Sequence, residues 1–254
     1  MIAPEEMKAA VMATGPLKAP GLDGLNPIFF QRFWDLVSPT VCDFATKCWA
    51  DPMTNKELNV TIIVLIPKVP RPVQIKQFRP ISLCNVGYKI ITKCLAETLK
   101  PLMPKLVHET QTSFVAGRHI PNNICILQEV VHSMRAKTGQ RGWMAIKVYL
   151  AKAYDCIRRS FVHDPLQAVG LPPSFTDLTM QCITYARMRI QWNGGLTDQF
   201  TPSGGLRQGC SLSPYICALC MDRLSHMIRV AVEEGEWMLQ TGSGRAKLVS
   251  PVFC

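Results

Sequence analysis

Apolar residues recur at helical spacing from 27 to 49, and near residue 59 they give way to a β-branched run, Val60-Thr61-Ile62-Ile63-Val64-Leu65-Ile66-Pro67. The first pattern predicts a helix over 27–49, and the second a strand over 59–69 that stops at Pro67. Upstream, Pro4 suits a first helical turn, Glu5 and Glu6 complement its dipole, and Gly15 ends a short helix over 4–14. Between these helices, Lys18-Ala19-Pro20-Gly21-Leu22-Asp23-Gly24 packs two turn signals into one loop. Helical periodicity returns over 83–102 and 122–137, a strand is predicted over 144–150, and a helix over 153–169 despite Pro165. Gly170-Leu171-Pro172-Pro173 breaks that helix, and Ser174 is placed to cap the next. Segments 188–193 and 196–201 flank Gly194-Gly195 as a hairpin, Ser213 opens a helix to about residue 234, and 247–254 forms a final strand. Helices and strands mix without regular βαβ alternation or repeats, so the fold class is α+β.

Composition narrows the function. A chain of 254 residues with 48% hydrophobic content can bury a substantial core in one or two domains. Its longest apolar run, 60–67, is too short to cross a bilayer, and the N-terminus has acids where a secretory signal has bases. This pattern predicts an intracellular protein, in nucleus or cytoplasm, not secreted and without a membrane partner. The eleven scattered cysteines then read as reduced thiols, and Asn59-Val60-Thr61 as no glycosylation site. The formal charge of +10 calls for an anionic partner. From 60 to 105 the chain carries Lys68, Arg71, Lys76, Arg79, Lys89, Lys93, Lys100 and Lys105 against one acid, Glu97. Nucleic acid or nucleoside triphosphate fits such a stretch; a solvated lysine-rich surface is the plainer alternative.

Motifs in order decide between these. Ile66-Pro67-Lys68, Phe78-Arg79-Pro80-Ile81-Ser82-Leu83, Gln111-Thr112-Ser113-Phe114-Val115-Ala116-Gly117-Arg118, Lys152-Ala153-Tyr154-Asp155 and Gly205-Leu206-Arg207-Gln208-Gly209 follow one another along the chain. Together with the 18–24 loop they resemble the reverse transcriptases of non-LTR (LINE-type) retrotransposons, most like those of plants. Each motif alone is weak, but the ordered set is specific and covers nearly the whole chain. The resemblance implies a right-hand polymerase within one reverse transcriptase domain, fingers-like over 1–140 and palm-like over 141–254. It implies RNA template, DNA primer and deoxynucleoside triphosphate as partners, and Mg²⁺ held by palm carboxylates as cofactor.

The same resemblance implies roles for single residues. Lys68 and Arg79 match cations that meet the triphosphate, Arg79 by a bidentate fork. Tyr154 matches the aromatic that rejects a 2′-hydroxyl, and Gln208 a contact to nucleotide and template. Arg118, with Lys89 and Lys93, falls on the nucleic-acid side. Surface charges, an ordinary core tyrosine and a plain glycine turn are the non-functional counterparts of these readings.

Departures from the family pattern set a second expectation. At Lys147-Val148-Tyr149-Leu150 the family has Lys-Leu-Asp-Met, whose Asp is a metal ligand, so Tyr149 occupies the first metal position. A phenol with an ordinary pKa near 10 is neutral at pH 7 and a poor Mg²⁺ ligand. Asp155 lies six residues on, where the family also has an Asp without a metal role. The Ala-Asp-Asp hairpin and the thumb are absent from these 254 residues, with Val252-Phe253-Cys254 in the place of the strand before that pair. Cys210-Ser211 and Arg158-Arg159 also depart from the pattern. No catalytic metal residue is intact, and the reading is a truncated, degenerate copy, inactive and without bound Mg²⁺. A non-catalytic nucleic-acid-binding fragment and a translated pseudogene are the alternatives. A zinc module at Cys217-Ala218-Leu219-Cys220 lacks a second ligand pair, so these read as buried thiols.

Overall fold

The computed structural model describes residues 2–56, 58–136, 138, 145–148, 150 and 152–235. Ten helices and four strands lie among the described residues. The N-terminal helices are α1 (Pro4–Met12), α2 (Pro27–Arg32) and α3 (Trp34–Ala50). Strands β1 (Val60–Pro67) and β2 (Phe78–Cys84) follow, then α4 (Val86–Leu99), α5 (Met103–Leu106) and α6 (Ile120–Ala136). Next come α7 (Ala153–Cys156), α8 (Arg159–Ala168), α9 (Pro173–Thr184), β3 (Arg187–Trp192), β4 (Gly195–Leu196) and α10 (Ser213–Glu233).

The strands form one mixed sheet in the order β2-β1-β3-β4, with β1 antiparallel to β2 and parallel to β3. β2 is an edge, and that position tolerates Pro80, whose missing N–H would break a central ladder. Because 78–84 is a strand, the helix expected from residue 83 begins only at Val86. The hairpin between β3 and β4 turns on Asn193 (φ 48°) and Gly194 (φ 81°), one residue earlier than expected. A tight turn of this kind needs positive φ at both central residues, and Gly195 is already paired with Trp192.

Other sequence expectations also shift. The helix over 27–49 is broken at Phe33, so that Trp34 enters the core while Phe33 remains half exposed. The helix over 153–169 divides at Ile157, and Pro165 is tolerated inside α8. Pro172, not Ser174, is the residue before α9, and Pro173 takes the first helical position, where its missing N–H is harmless. Residues 145–148 and Leu150 belong to no strand, and Met144 and Tyr149 lie outside the described residues, as does the strand expected over 247–254.

Helix α4 organises the interior because both its faces are apolar. Val86, Ile90 and Cys94, four residues apart, pack with Met7, Val11, Trp34 and Ala45 of α1 and α3. On the other side Tyr88, Ile91, Leu95 and Leu99 join Leu166, Leu178 and Ile216 of α8, α9 and α10. Truncating Leu99 or Leu178 to alanine, both with no exposed surface, is expected to cost about 2–5 kcal/mol in urea melts. No helix among the described residues is long and apolar enough to cross a membrane.

None of the ten described cysteines is in a disulfide. Burial pushes Cys48, Cys94 and Cys220 up to about 12 and Cys217 up to about 11, from an ordinary 9.0. Above pH 9 the unfolded chain therefore releases thiol protons that the folded chain retains, so stability falls as pH rises from 9 towards 12. Melts at fixed temperature should be flat from pH 7 to about 8.5 and decline steeply beyond. A flat profile to pH 11 would contradict this account.

Candidate nucleotide and nucleic-acid site

The 18–24 loop is docked on the junction between β2 and α4. Asp23 Oδ2 accepts from the Val86 amide at 2.9 Å, which caps the start of α4 from a loop 63 residues away. The Asp23 amide donates to Asn85 Oδ1 at 3.2 Å, and Lys89 Nζ donates to the Ala19 carbonyl at 2.7 Å. Burial pushes the Lys89 ammonium below its ordinary value. Lys89 is thus committed to holding this loop, while Lys93 pairs with Glu97 at 2.5 Å along α4.

Lys68 and Arg79 lie at the same end of the β1–β2 hairpin. Arg79 is opposite Ile66 in the register, and the Lys68 amide bonds to the Gln77 carbonyl at 2.8 Å just beyond Pro67. Both side chains are exposed; Lys68 Nζ donates to the Lys76 carbonyl at 3.2 Å, and Arg79 has no partner among the described residues. Two cations are therefore presented together at the tip of a rigid ladder.

The Gly205–Gly209 loop brings two further motifs to this hairpin. The Leu206 amide bonds to the Tyr154 carbonyl at 2.7 Å and the Gly205 amide to the Ile157 carbonyl at 2.9 Å. On its other side, the Ser82 amide on the free edge of β2 donates to the Gln208 carbonyl at 3.0 Å. Only glycine suits this path: Gly205 (φ 80°) would place a Cβ 3.0 Å from the Asp155 carbonyl, and Gly209 (φ 101°) one 3.1 Å from that of Ser82. The backbones of Tyr154 and Gln208 are thereby tied through one loop to β2, while the half-buried Tyr154 ring packs against the core. Burial, with Cys217 beside it, pushes the Tyr154 phenol up to about 12, so it stays neutral.

Beneath this loop is a buried cation that the motifs did not single out. Arg207 is 7% exposed, and its guanidinium donates to Asn59 Oδ1 at 2.5 Å, Thr61 Oγ1 at 3.0 Å, the Cys182 carbonyl at 2.6 Å and the Tyr88 hydroxyl. The guanidinium also lies over the Tyr88 ring, 4.1 Å from its centroid. Burial raises the Tyr88 phenol well above its ordinary value, so it remains a neutral acceptor despite the neighbouring cation. The sequence placed Arg207 in the 205–209 motif but gave it no role, because an arginine is most often solvated and no carboxylate at helical spacing marks it as paired.

Arg118 also turns inward. Its guanidinium donates to the carbonyls of His108 (2.5 Å), Gln111 (2.8 Å), Pro104 (2.9 Å) and Val107 (3.3 Å), which knits the 104–118 segment together. Cys217 and Cys220 are buried in the core of α10. Tyr149 lies outside the described residues; Asp155 is exposed. No group of three or more His, Cys, Asp or Glu that could hold a metal ion lies among the described residues, and the first metal position that the resemblance implies, Tyr149, is outside them.

Residues 66–241 match the family model described as reverse transcriptase (RNA-dependent DNA polymerase). The chain is 28% identical over 225 residues to the transposon TX1 uncharacterized 149 kDa protein of Xenopus laevis, which is 89% of this chain and 17% of that protein. It is 24% identical over 209 residues to the retrovirus-related Pol polyprotein from type-2 retrotransposable element R2DM of Drosophila melanogaster, covering 81% of this chain and 19% of that one. A similar Pol polyprotein, from type-1 retrotransposable element R2 of Nasonia vitripennis, is 25% identical over 159 residues, or 63% of this chain and 15% of its own length. The chain therefore spans less than a fifth of each relative. With a family match over more than half its residues, the chain belongs to the reverse transcriptase (RNA-dependent DNA polymerase) family, and the three relatives are proteins of a transposon and of retrotransposable elements.

Proposed function

We propose that this domain keeps the family's frame for binding nucleotide and nucleic acid but has lost the chemical step. Tyr149 carries that reading, because it replaces the carboxylate of the Lys-Leu-Asp-Met pattern by a neutral phenol. When bound, Mg²⁺ would supply charge neutralisation on the triphosphate and activation of the primer hydroxyl, and Tyr149 offers no carboxylate to hold it. The retained frame is the hairpin end with Lys68 and Arg79, the loop carrying Gln208, and Tyr154 behind it. In this reading the hairpin belongs to the fingers, α7 and the Gln208 loop belong to the palm, and the two cations meet phosphates.

Primer extension on an RNA template, with Mg²⁺ or Mn²⁺, is expected to give no nucleotide incorporation. Extension above background would overturn the loss of chemistry. Binding of labelled single-stranded oligonucleotides is expected to persist and to weaken steeply with salt. Each phosphate contact contributes about −0.7 to the slope of log K against log salt. Replacing Lys68 and Arg79 together by glutamine should therefore flatten the slope by about 1.4. Salt-independent binding, or none at low salt, would remove the nucleic-acid reading.

A further inference from the structure

A concave surface lined by none of the hairpin residues offers a second place for a ligand. It lies between the loop before α6, the end of α4 and the first turn of α10, and Lys100, Thr112, Phe114, His119, Ile120 and Tyr215 line it. Phe114 is its unusual member. Its φ is 60°, a left-handed conformation that disfavours bulky residues, and the residue is 54% exposed. Folding therefore places an aromatic side chain in a strained backbone position without burying it.

The loop that holds Phe114 is over-determined around it. Val115 next to it is anchored in the core, and Arg118 draws four carbonyls together beneath the loop. Asn123 of α6 donates from Nδ2 to the Thr110 carbonyl at 2.9 Å and to Thr112 Oγ1 at 3.3 Å. The ring is thus presented by a rigid frame. Beside it are the cation Lys100 and His119, and no carboxylate among the described residues lines the surface. Glu97 is 3.7 Å from Lys100 Nζ, with both side chains well exposed, so water and salt screen that pair. The N-terminus of the 17-residue α6 opens onto the same surface and favours an anion there.

An exposed aromatic face with cations alongside suits a base and its flanking phosphates, and only an unpaired strand offers a free base face. We propose that this surface binds single-stranded nucleic acid, with a base stacked on Phe114 and the backbone held by Lys100 and the start of α6. The inference rests on the nucleic-acid-binding reading above. It makes Arg118 a positioning residue that holds the Phe114 loop, in place of the direct template contact that the resemblance implies.

Fluorescence anisotropy of the whole chain with short oligothymidylate, oligouridylate and an abasic strand of equal length tests this. Phe114→Gly suits the positive φ and removes the ring, so the fold should survive. Binding of both base-bearing strands should weaken about ten-fold, while binding of the abasic strand is unchanged. Phe114→Trp should retain or strengthen binding, and Lys100→Gln should weaken all three strands. Photo-crosslinking of a 5-bromouridine strand should map to residues 112–121. Wild-type binding with an unaltered Phe114→Gly variant, or a crosslink elsewhere, would overturn the proposal and leave the nucleic-acid reading standing. Failure of the wild-type chain to bind any strand would overturn both.

Discussion

Replacing Arg207 by alanine is expected to destabilise the domain by about 3–5 kcal/mol, the largest effect of any single side chain at the site. The guanidinium is almost fully buried, and its acceptors come from β1, α4, α9 and the residue before β1. Truncation leaves a cavity and strips buried acceptors, including the Cys182 carbonyl and Asn59 Oδ1, of their donor. Arg207→Met separates the contributions. It fills most of the space and removes the burden of an uncompensated buried charge, but it satisfies none of those acceptors. The loss should therefore be smaller than for alanine yet clearly present. Arg207→Lys keeps the charge and loses the fork, so it should recover little. Urea midpoints at constant slope measure these differences, and the alanine change corresponds to roughly 6–20 °C in thermal midpoint. Faster labelling of Cys84, Cys182 and Cys210, all buried, should accompany it. A methionine variant as stable as the parent would show that the hydrogen bonds contribute nothing net.

Gly21→Ala is expected to cost about 2–4 kcal/mol and to release the loop around it. A Cβ at Gly21 would lie 2.5 Å from the Asn85 backbone nitrogen and 2.6 Å from the Cys84 carbonyl carbon. Those are backbone atoms of the β2–α4 junction, which cannot rotate away as a side chain can. The loop must lift instead, and lifting it removes the Asp23 carboxylate from the Val86 amide and the Ala19 carbonyl from Lys89. Tryptic cleavage after Lys18 should accelerate together with the loss of stability. Asp23→Ala tests the cap alone and should cost about 1 kcal/mol, since the glycine packing survives. Equal protease resistance in Gly21→Ala and parent would show that the loop is held by something other than this contact.

The two predictions differ in how much of their basis the sequence displays. The turn chemistry of Lys18-Ala19-Pro20-Gly21-Leu22-Asp23-Gly24 is visible locally, but its docking partner lies more than 60 residues away. Local patterns carried well where the period was long. α4 and α6 lie within the segments where apolar spacing put them, α1 and α10 follow from their start and stop signals, and β1 follows from its β-branched run. They failed where neighbours decide: β2 was hidden by Pro80, which only an edge position accommodates. The divisions at Phe33 and Ile157 occur where the packing of adjoining residues overrides helical spacing.

By itself the sequence determined the family, the class of the fold and the identity of each motif residue, including the tyrosine at position 149. Those follow from residue types in order along the chain, which need no coordinates. Only the tertiary structure decided which cations remain available to a ligand. Lys89, Arg118 and Arg207 are indistinguishable in the sequence from Lys68 and Arg79. The first three are spent on carbonyls and hydroxyls of other segments, while the last two are exposed at the end of a hairpin. The physical reason is that a buried cation must find acceptors wherever the chain brings them. The acceptors of Arg207 come from residues 25 to 148 positions away, a distance over which local sequence carries no signal.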